Sequence, residues 1–378
     1  MTEKVAIIYV NYLDEFGNVK IGGIETYITS LSNAFVKNNV TPIIFQPYYK
    51  NEVFHLNGIQ IICLKVDNID GILSEVPNYI NSSDLIIFAG DQYSKKISTH
   101  KTICIQHGIY WDLPLEKSGI RGFLLQYKLI EMIYRLKRFK SVISNFNNSD
   151  YKVCVDYNFI NWLRTITNVN NEETITVIPN FSKCIDKKAV ADKLNTKRDK
   201  LKILFARRFE EYRGVNLFLN IAEKLVNIYP NVEIHFAGSG PGKEKIECLI
   251  KKFPDRVFIT KYESSEVLSF TSQYDISVIP SIGSEGTSLS AIEAMSSATC
   301  VVSSNVGGLT NIIIDGYNGY ICQPTEDSFF KRISMLIDNP EKIKETSEVA
   351  YNLAISSFSL TRWEKSWINL YNMVKNEK

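Results

Sequence analysis

The sequence predicts an α/β protein made of two parallel-sheet units in series, and three observations carry that expectation. Short apolar runs rich in Val, Ile and Phe recur along the chain, helix-length stretches separate several of them, and the pattern restarts after a polar stretch from Phe181 to Lys200. Near-continuous apolar strands with intervening helices imply a parallel sheet covered on both faces. The 378 residues fit two domains of about 100–200 residues each.

In order, the strand expectations of the first half are VAIIYV (Val5 to Val10), PIIFQ, IQIICLKV, DLIIFAG, TICIQ, SVIS and TITVIP. A helix is expected from Glu25, because Ile28, Leu31, Phe35 and Val36 fall close to one face. FSKCIDKKAVADKLNTKRDK (Phe181 to Lys200) is polar, with seven Lys or Arg, and reads as an interdomain linker. LKILFA, VEIHFAG, RVFIT, DISVIP and CVVSS are the strands of the second half, and the tail reads as a helix with Trp363, Trp367 and Leu370 on one side.

Composition narrows the function class. Apolar residues make up 45% and charged residues 22%, which excludes wholesale disorder, collagen and a disulfide miniprotein. A net charge of +2 lacks the basic excess usual in a nucleic-acid binder, so no nucleic-acid partner is expected. No apolar run approaches the roughly 20 residues that span a bilayer. The first run is too short for a signal peptide and follows Glu3 and Lys4; a cytoplasmic setting is expected from the cysteines. Seven scattered cysteines, never in a CxxC pair, read as reduced and mostly buried thiols. The four histidines lie too far apart for a zinc motif, and no HExxH, EF-hand loop or DxD occurs, so nothing points to a metal.

Five segments offer chemistry. In GGIET, Gly22 and Gly23 open a helix whose free amides and positive dipole end suit a phosphate; a plain strand-to-helix turn is the alternative. In FARRFEEYRG, Arg207, Arg208 and Arg213 cluster at the carboxyl end of a strand, where open α/β sheets bind ligands and where guanidinium groups suit diphosphates. A solvated loop with Glu210 and Glu211 as partners is the alternative. PSIGSEGTSLSAIEAM places Glu285 in a loop and Glu293 one or two turns into the next helix, with backbone donors at Gly286, Thr287, Ser288 and Leu289 between them. A glutamate on a small, apolar helix face needs a polar partner if buried; two solvated glutamates are the alternative. NVGGLTNII holds a second glycine pair after a strand, and QHGIYWD places His107 at a strand end before a glycine, where it can face a cleft; a structural histidine is the alternative. GSGPGKEK lacks the third glycine of a dinucleotide fingerprint and the spacing of a P-loop.

Read in order, these elements resemble glycosyltransferase family 4, retaining nucleotide-sugar transferases of the GT-B fold, in which two Rossmann-like domains face a cleft. The resemblance is strongest from Ile203 to Pro324, and the glutamate pair of SEGTSLSAIEAM is its most specific element. It implies an acceptor-side domain at residues 1–182, a donor domain at 183–357 and a terminal helix, 358–378, packing back on the first. It implies Arg208 and Arg213 as the pair holding the donor diphosphate, Glu285 beside the transferred sugar, Glu293 on the nucleotide ribose, Gly23 facing the phosphate and His107 near the sugar on the acceptor side. Arg213 stands where the family has Lys, Arg207 where it has Gly, Ala298-Thr299 where Gly-Pro is common and Asn311 where Glu is common.

The activity so implied is retaining, metal-independent transfer from a UDP- or GDP-sugar or another nucleotide sugar, with no cofactor, to a glycan or lipid-linked acceptor in surface polysaccharide assembly. Domain closure would limit donor hydrolysis. From Lys117 to Lys140 there are seven Lys or Arg and one Glu, with Phe123, Tyr127, Tyr134 and Phe139 interleaved. With Arg121, Lys128, Arg135 and Arg138 near one helical face, the segment suits an anionic membrane surface, so a peripheral position at the inner face is expected; a solvated helix face is the alternative. Two other classes compete. A Rossmann oxidoreductase lacks its GxGxxG here, and a non-catalytic nucleotide-sugar-binding subunit would not need the glutamates and arginines that this chain keeps.

Overall fold

The computed structural model describes residues 3–113, 115, 119–167, 172–196, 198–283 and 285–377, without the side chains of 119–121, 172 and 264. Lys117 and Ser284, and the side chain of Arg121, thus lie outside the described residues. The chain divides into two compact units: Met1–Trp111, Lys117–Pro179 and Thr361–Lys378 form one, and Asp112–Glu116 with Asn180–Leu360 the other.

The first unit is built on β1 (Lys4–Ile8), β2 (Thr41–Pro47), β3 (Glu52–Leu56), β4 (Ile59–Leu64), β5 (Leu85–Phe88), β6 (Thr102–Gln106), β7 (Tyr151–Cys154) and β8 (Ile175–Val177). Their order across the sheet is β3-β4-β2-β1-β5-β6-β7-β8. Every pair is parallel except the β3–β4 hairpin. That hairpin turns on Asn57 and Gly58, both at positive φ, the backbone that a tight two-residue turn requires. β1, β5 and β6 are buried along almost their whole length, as strands covered on both faces must be.

The helix Gly23–Lys37 follows β1 and buries Ile28, Leu31 and Phe35 at a spacing of three and four; Val36, expected on that face, points to solvent. The terminal helix Leu360–Asn376 packs against it. Trp363, Trp367, Leu370, Tyr371 and Val374 are buried, and Trp367 Nε1 donates to Tyr27 Oη at 2.8 Å. Tyr27 also meets Trp363 edge to face at 4.9 Å.

One reading of the first unit changes. SVIS is not a strand: it lies inside the helix Lys128–Phe146, where Phe139, Val142 and Phe146 face inward at a helical spacing. The strand next to β6 is YKVC, Tyr151–Cys154. Two of the basic residues of that helix are engaged within the protein. Arg135 donates to Glu131 and to the Trp111 carbonyl at 2.7 Å, and Arg138 lies over the Tyr110 ring at 5.0 Å.

The second unit is built on β9 (Leu201–Ala206), β10 (Val232–Ala237), β11 (Val257–Thr260), β12 (Ile276–Ile279), β13 (Cys300–Ser304) and β14 (Tyr320–Cys322), all parallel, in the order β11-β10-β9-β12-β13-β14. A phenylalanine cluster of Phe205, Phe209, Phe218 and Phe236 fills the space between sheet and helices. The stretch from Phe181 to Lys200 is not merely a linker. It holds the helix Lys187–Asn195, started by Asp186, whose side chain accepts from Ala189 N at 2.9 Å. Lys193 of this helix donates to the Ser297 carbonyl and to Thr299 Oγ1, and burial lowers its pKa to about 7.

Candidate functional site

Strand order reverses beside β9, which lies between β10 and β12. A crevice opens at such a switch point, outside the carboxyl ends of the strands. The segment after β9 carries Arg207, Arg208 and Arg213, and the loop after β12 runs from Pro280 through Glu285 to the helix Leu289–Ser296. Topology therefore brings two segments about 70 residues apart to one edge.

Glu285 is their meeting point. Arg207 Nη2 donates to both carboxylate oxygens at 2.8 Å, Arg213 Nη1 to Oε2 at 2.5 Å and Ser281 Oγ to Oε2 at 2.7 Å. Arg207 also donates to Ser281 Oγ through Nη1. The Arg207 and Glu285 side chains are each 5% exposed. Burial alone would raise the Glu285 pKa, but the two guanidinium groups and the hydrogen bonds outweigh it and hold it at about 2. Glu285 is thus a fixed anion at any physiological pH.

Two glycines make the approach possible. At Gly214, with φ +81°, a side chain would begin 1.9 Å from the Pro280 carbonyl oxygen; at Gly307, with φ +54°, it would begin 2.1 Å from that of Glu285. Gly308 N donates to that same Glu285 carbonyl at 2.8 Å. The pairs GG at 307–308 and RG at 213–214 thus hold the carboxylate loop from both sides.

Glu293 presents the opposite electrostatics. It lies one turn into the helix, flanked by buried Ile292 and Ala294, and its carboxylate has no hydrogen-bond partner among the described residues. Its surface is partly accessible, yet protein surrounds it densely enough that burial raises its pKa to about 7. Its charge, after burial, also raises the Tyr262 phenol. Between the two glutamates, Thr287 and Ser288 are buried, Gly286 and Leu289 are partly exposed, and Ser288 caps the helix without a side-chain bond. The first amides of the helix have no carbonyl partner within it and carry the positive end of its dipole. Asn180 Nδ2 donates to the Thr287 carbonyl at 2.5 Å, fixing this turn from the segment that enters the unit.

Residues 186–353 match the family model described as glycosyl transferases group 1. Over this segment the chain is similar to the group 1 glycosyl transferases. The group 1 segment contains Arg207, Arg208, Arg213, Glu285 and Glu293. An uncharacterized glycosyltransferase of Methanocaldococcus jannaschii is 32% identical over 206 residues, which are 53% of this chain and 49% of the relative. A second protein of that name and organism is 29% identical over 147 residues, 38% of this chain and 40% of the relative, so the chain spans about half the length of these curated relatives, or less. The fold is shared more widely. Sucrose-phosphate synthase of Thermosynechococcus elongatus superposes with a TM-score of 0.78 at 18% identity, covering 98% of this chain and 99% of that one. HepE of Anabaena, solved with UDP-glucose, superposes with a TM-score of 0.71 at 12% identity, covering 98% and 99%.

Within the group 1 segment, the basic pair inferred from sequence separates. Arg213 sits on Glu285, whereas Arg208 is exposed and makes no ion pair among the described residues. The partner of Glu285 that sequence reasoning missed is Arg207, which stands where the resembled family has glycine. Ala298, also at a glycine position, takes φ +48°, a conformation that costs an L-residue about 1–2 kcal/mol. Among the described residues, no three His, Cys, Asp or Glu side chains are grouped to hold a metal ion.

The first unit has its own strand-end cluster. Gly22 caps the helix Gly23–Lys37, and Gly23 is exposed at its start. His107 follows β6; its Nε2–H donates to the Ala89 carbonyl at 3.0 Å, and its ring meets Tyr27 edge to face at 5.0 Å. Burial outweighs that carbonyl and lowers the His107 pKa to about 4, so the ring is neutral with Nδ1 as its acceptor. Tyr9 Oη donates to buried Glu25 at 2.9 Å nearby in sequence to the same helix start.

Proposed function

We propose that the chain is a retaining glycosyltransferase that moves a sugar from a nucleoside-diphosphate sugar to a glycan or lipid-linked acceptor, without a divalent metal, in surface polysaccharide assembly. The single observation that carries the reading is the ionised Glu285, clamped by Arg207, Arg213 and Ser281 at the strand-order switch and followed at once by a helix N-terminus. A clamped carboxylate next to the positive end of a helix dipole provides for opposite charges within one site. The amides from Gly286 to Leu289, with Arg208 and Arg213, meet the diphosphate. Glu285 faces the positive charge that builds at the anomeric carbon. The similarity to a fold that holds UDP-glucose in HepE supports a uridine nucleotide as the first donor to test.

Bond changes follow from that placement. The bond between the anomeric carbon and the outer phosphate oxygen breaks, and its electron pair stays on the phosphate. The acceptor hydroxyl oxygen bonds to the same face of the carbon, and its proton passes to the departing phosphate oxygen. Glu285, held by three donors, is poorly placed to act as a nucleophile itself, which favours this front-face route over a double displacement. Glu293 takes the ribose hydroxyls of the donor. In the first unit, Gly23 is assigned to the phosphate and His107 to the sugar on the acceptor side.

The test is turnover against binding. Glu285→Gln should lower sugar transfer on the order of 100-fold while leaving nucleoside diphosphate affinity near wild type, because the lost charge matters only as the transition state forms. Transfer should persist in EDTA. Loss of diphosphate affinity with turnover intact would place the site elsewhere, and activity restored only by Mg²⁺ or Mn²⁺ after EDTA would overturn the metal-independent reading.

A further inference from the structure

The helix Lys128–Phe146 presents an apolar face that no described residue covers. Leu129, Met132, Ile133 and Leu136 are exposed, by 49–64%, and recur at the i, i+3, i+4, i+7 spacing of a single helical stripe. Just before them, Phe123, Leu124 and Tyr127 are exposed as well, with the Phe123 and Tyr127 rings in edge contact. These seven side chains fall within 14 residues, yet they are a third of the 21 large apolar side chains exposed among the described residues. Scattered exposed apolar residues are ordinary; a contiguous set marks an interface.

What borders the stripe identifies its partner. At about 100° per residue the four side chains span about 100° of the helix, Lys128 lies about 40° outside one edge and Lys137 about 40° outside the other. Lys140 is exposed one turn further on. All three lysines are exposed and none makes an ion pair among the described residues. The only acidic residue of the helix, Glu131, is turned away and bonded to Arg135. A protein partner of ordinary composition would not call for a stripe flanked by cations on both sides with no anion. An anionic bilayer does: acyl chains take the apolar side chains, and lipid phosphates take ammonium groups that reach up on flexible stems.

We propose that this face lies in the headgroup layer of an anionic lipid bilayer, with Leu129, Met132, Ile133 and Leu136 inserted and Lys128, Lys137 and Lys140 on the lipid phosphates. No helix among the described residues is long and apolar enough to cross a membrane, so the contact is peripheral. The surface stands on exposure and charge and does not rest on the catalytic reading.

Co-sedimentation of the full chain with vesicles tests it. Wild type should pellet with phosphatidylcholine vesicles containing phosphatidylglycerol, release as salt rises, and stay in solution with phosphatidylcholine alone. Leu129→Gln, Ile133→Gln and Leu136→Gln combined should abolish pelleting. Lys128→Glu, Lys137→Glu and Lys140→Glu combined should weaken it at least about 100-fold, given three lysines near the surface. All six residues are solvent-exposed, so both variants should keep the wild-type circular dichroism spectrum. Wild type that ignores anionic vesicles, a glutamine variant that pellets like wild type, or a wild-type dimer in light scattering that the glutamine variant dissolves in the absence of any vesicle binding would each overturn the proposal.

Discussion

The carboxyl edges of the two sheets are built on opposite electrostatic principles. At the second sheet, Arg207, Arg213 and Glu285 form a buried ion cluster whose carboxylate is held at about 2. At the first, His107 is held neutral, its pKa near 4, against the Tyr27 ring and a backbone carbonyl. Both edges follow parallel strands, and both carry a glycine-led helix start or loop. The difference shows that the shared architecture supplies only the position; side chains then set whether a strand end carries a fixed ion cluster or a neutral ring.

The strongest way to break this comparison is to remove Arg207. A buried pair that loses one partner leaves an uncompensated charge, at about 3–5 kcal/mol. Arg213 and Ser281 still reach Glu285, so Arg207→Ala should fall at the lower end, about 3 kcal/mol. All four tryptophans, Trp111, Trp162, Trp363 and Trp367, belong to the first unit. The loss should therefore appear in the urea transition followed by circular dichroism and spare the one followed by tryptophan fluorescence. Equal losses by both probes would contradict a penalty confined to the second sheet.

Next in size are the two other arginines, which separate stability from binding. Arg208 is exposed and unpaired among the described residues, so Arg208→Ala should weaken nucleoside diphosphate binding by about 1.5–3 kcal/mol and leave the unfolding transition in place. Arg213→Ala should lose a similar amount of affinity and also lower stability, because Arg213 shares the Glu285 carboxylate. Calorimetric titration with UDP, paired with a melt, distinguishes the two. Unchanged affinity in both variants would move the diphosphate away from this edge.

What sequence made legible, and what it hid, follows the same physics. The two glutamates were readable because their separation is short and lies on one loop-helix unit. Arg207 was not: in an extended segment adjacent side chains point to opposite sides, so one of Arg207 and Arg208 had to turn inward, but nothing local says which. The contact also joins segments more than 70 residues apart, across a sheet order that sequence does not display. SVIS failed for another reason. Four apolar-rich residues fit a strand or a helix equally well, and only the spacing of Phe139, Val142 and Phe146 decides. The same helix has apolar residues on two faces, so charge position alone does not define its outer surface. The hairpin of β3 and β4 had its signal in plain view at Asn57-Gly58.

The smallest effect concerns Glu293 and sharpens the comparison within the second sheet itself. Eight residues from a carboxylate held near 2, this one is raised to about 7 by burial, with no hydrogen-bond partner among the described residues. An acid whose folded pKa is raised favours the fold while protonated. That stability is complete below about 4.5 and is lost as pH rises through about 7. Glu293→Gln has nothing to titrate, so relative to wild type it should gain about 1–2 kcal/mol between pH 5 and pH 8, discounted for the partial exposure of the group. The same variant should raise KM for the donor with little change in kcat, since ribose hydroxyls are alike in substrate and transition state. Bound nucleotide would supply the missing hydrogen bonds and pull the Glu293 pKa down, so wild-type affinity should improve as pH rises through 7 while that of the variant stays flat. A pH-independent stability difference, or a variant whose donor KM matches wild type, would show that Glu293 is a buried structural acid and not part of the donor site.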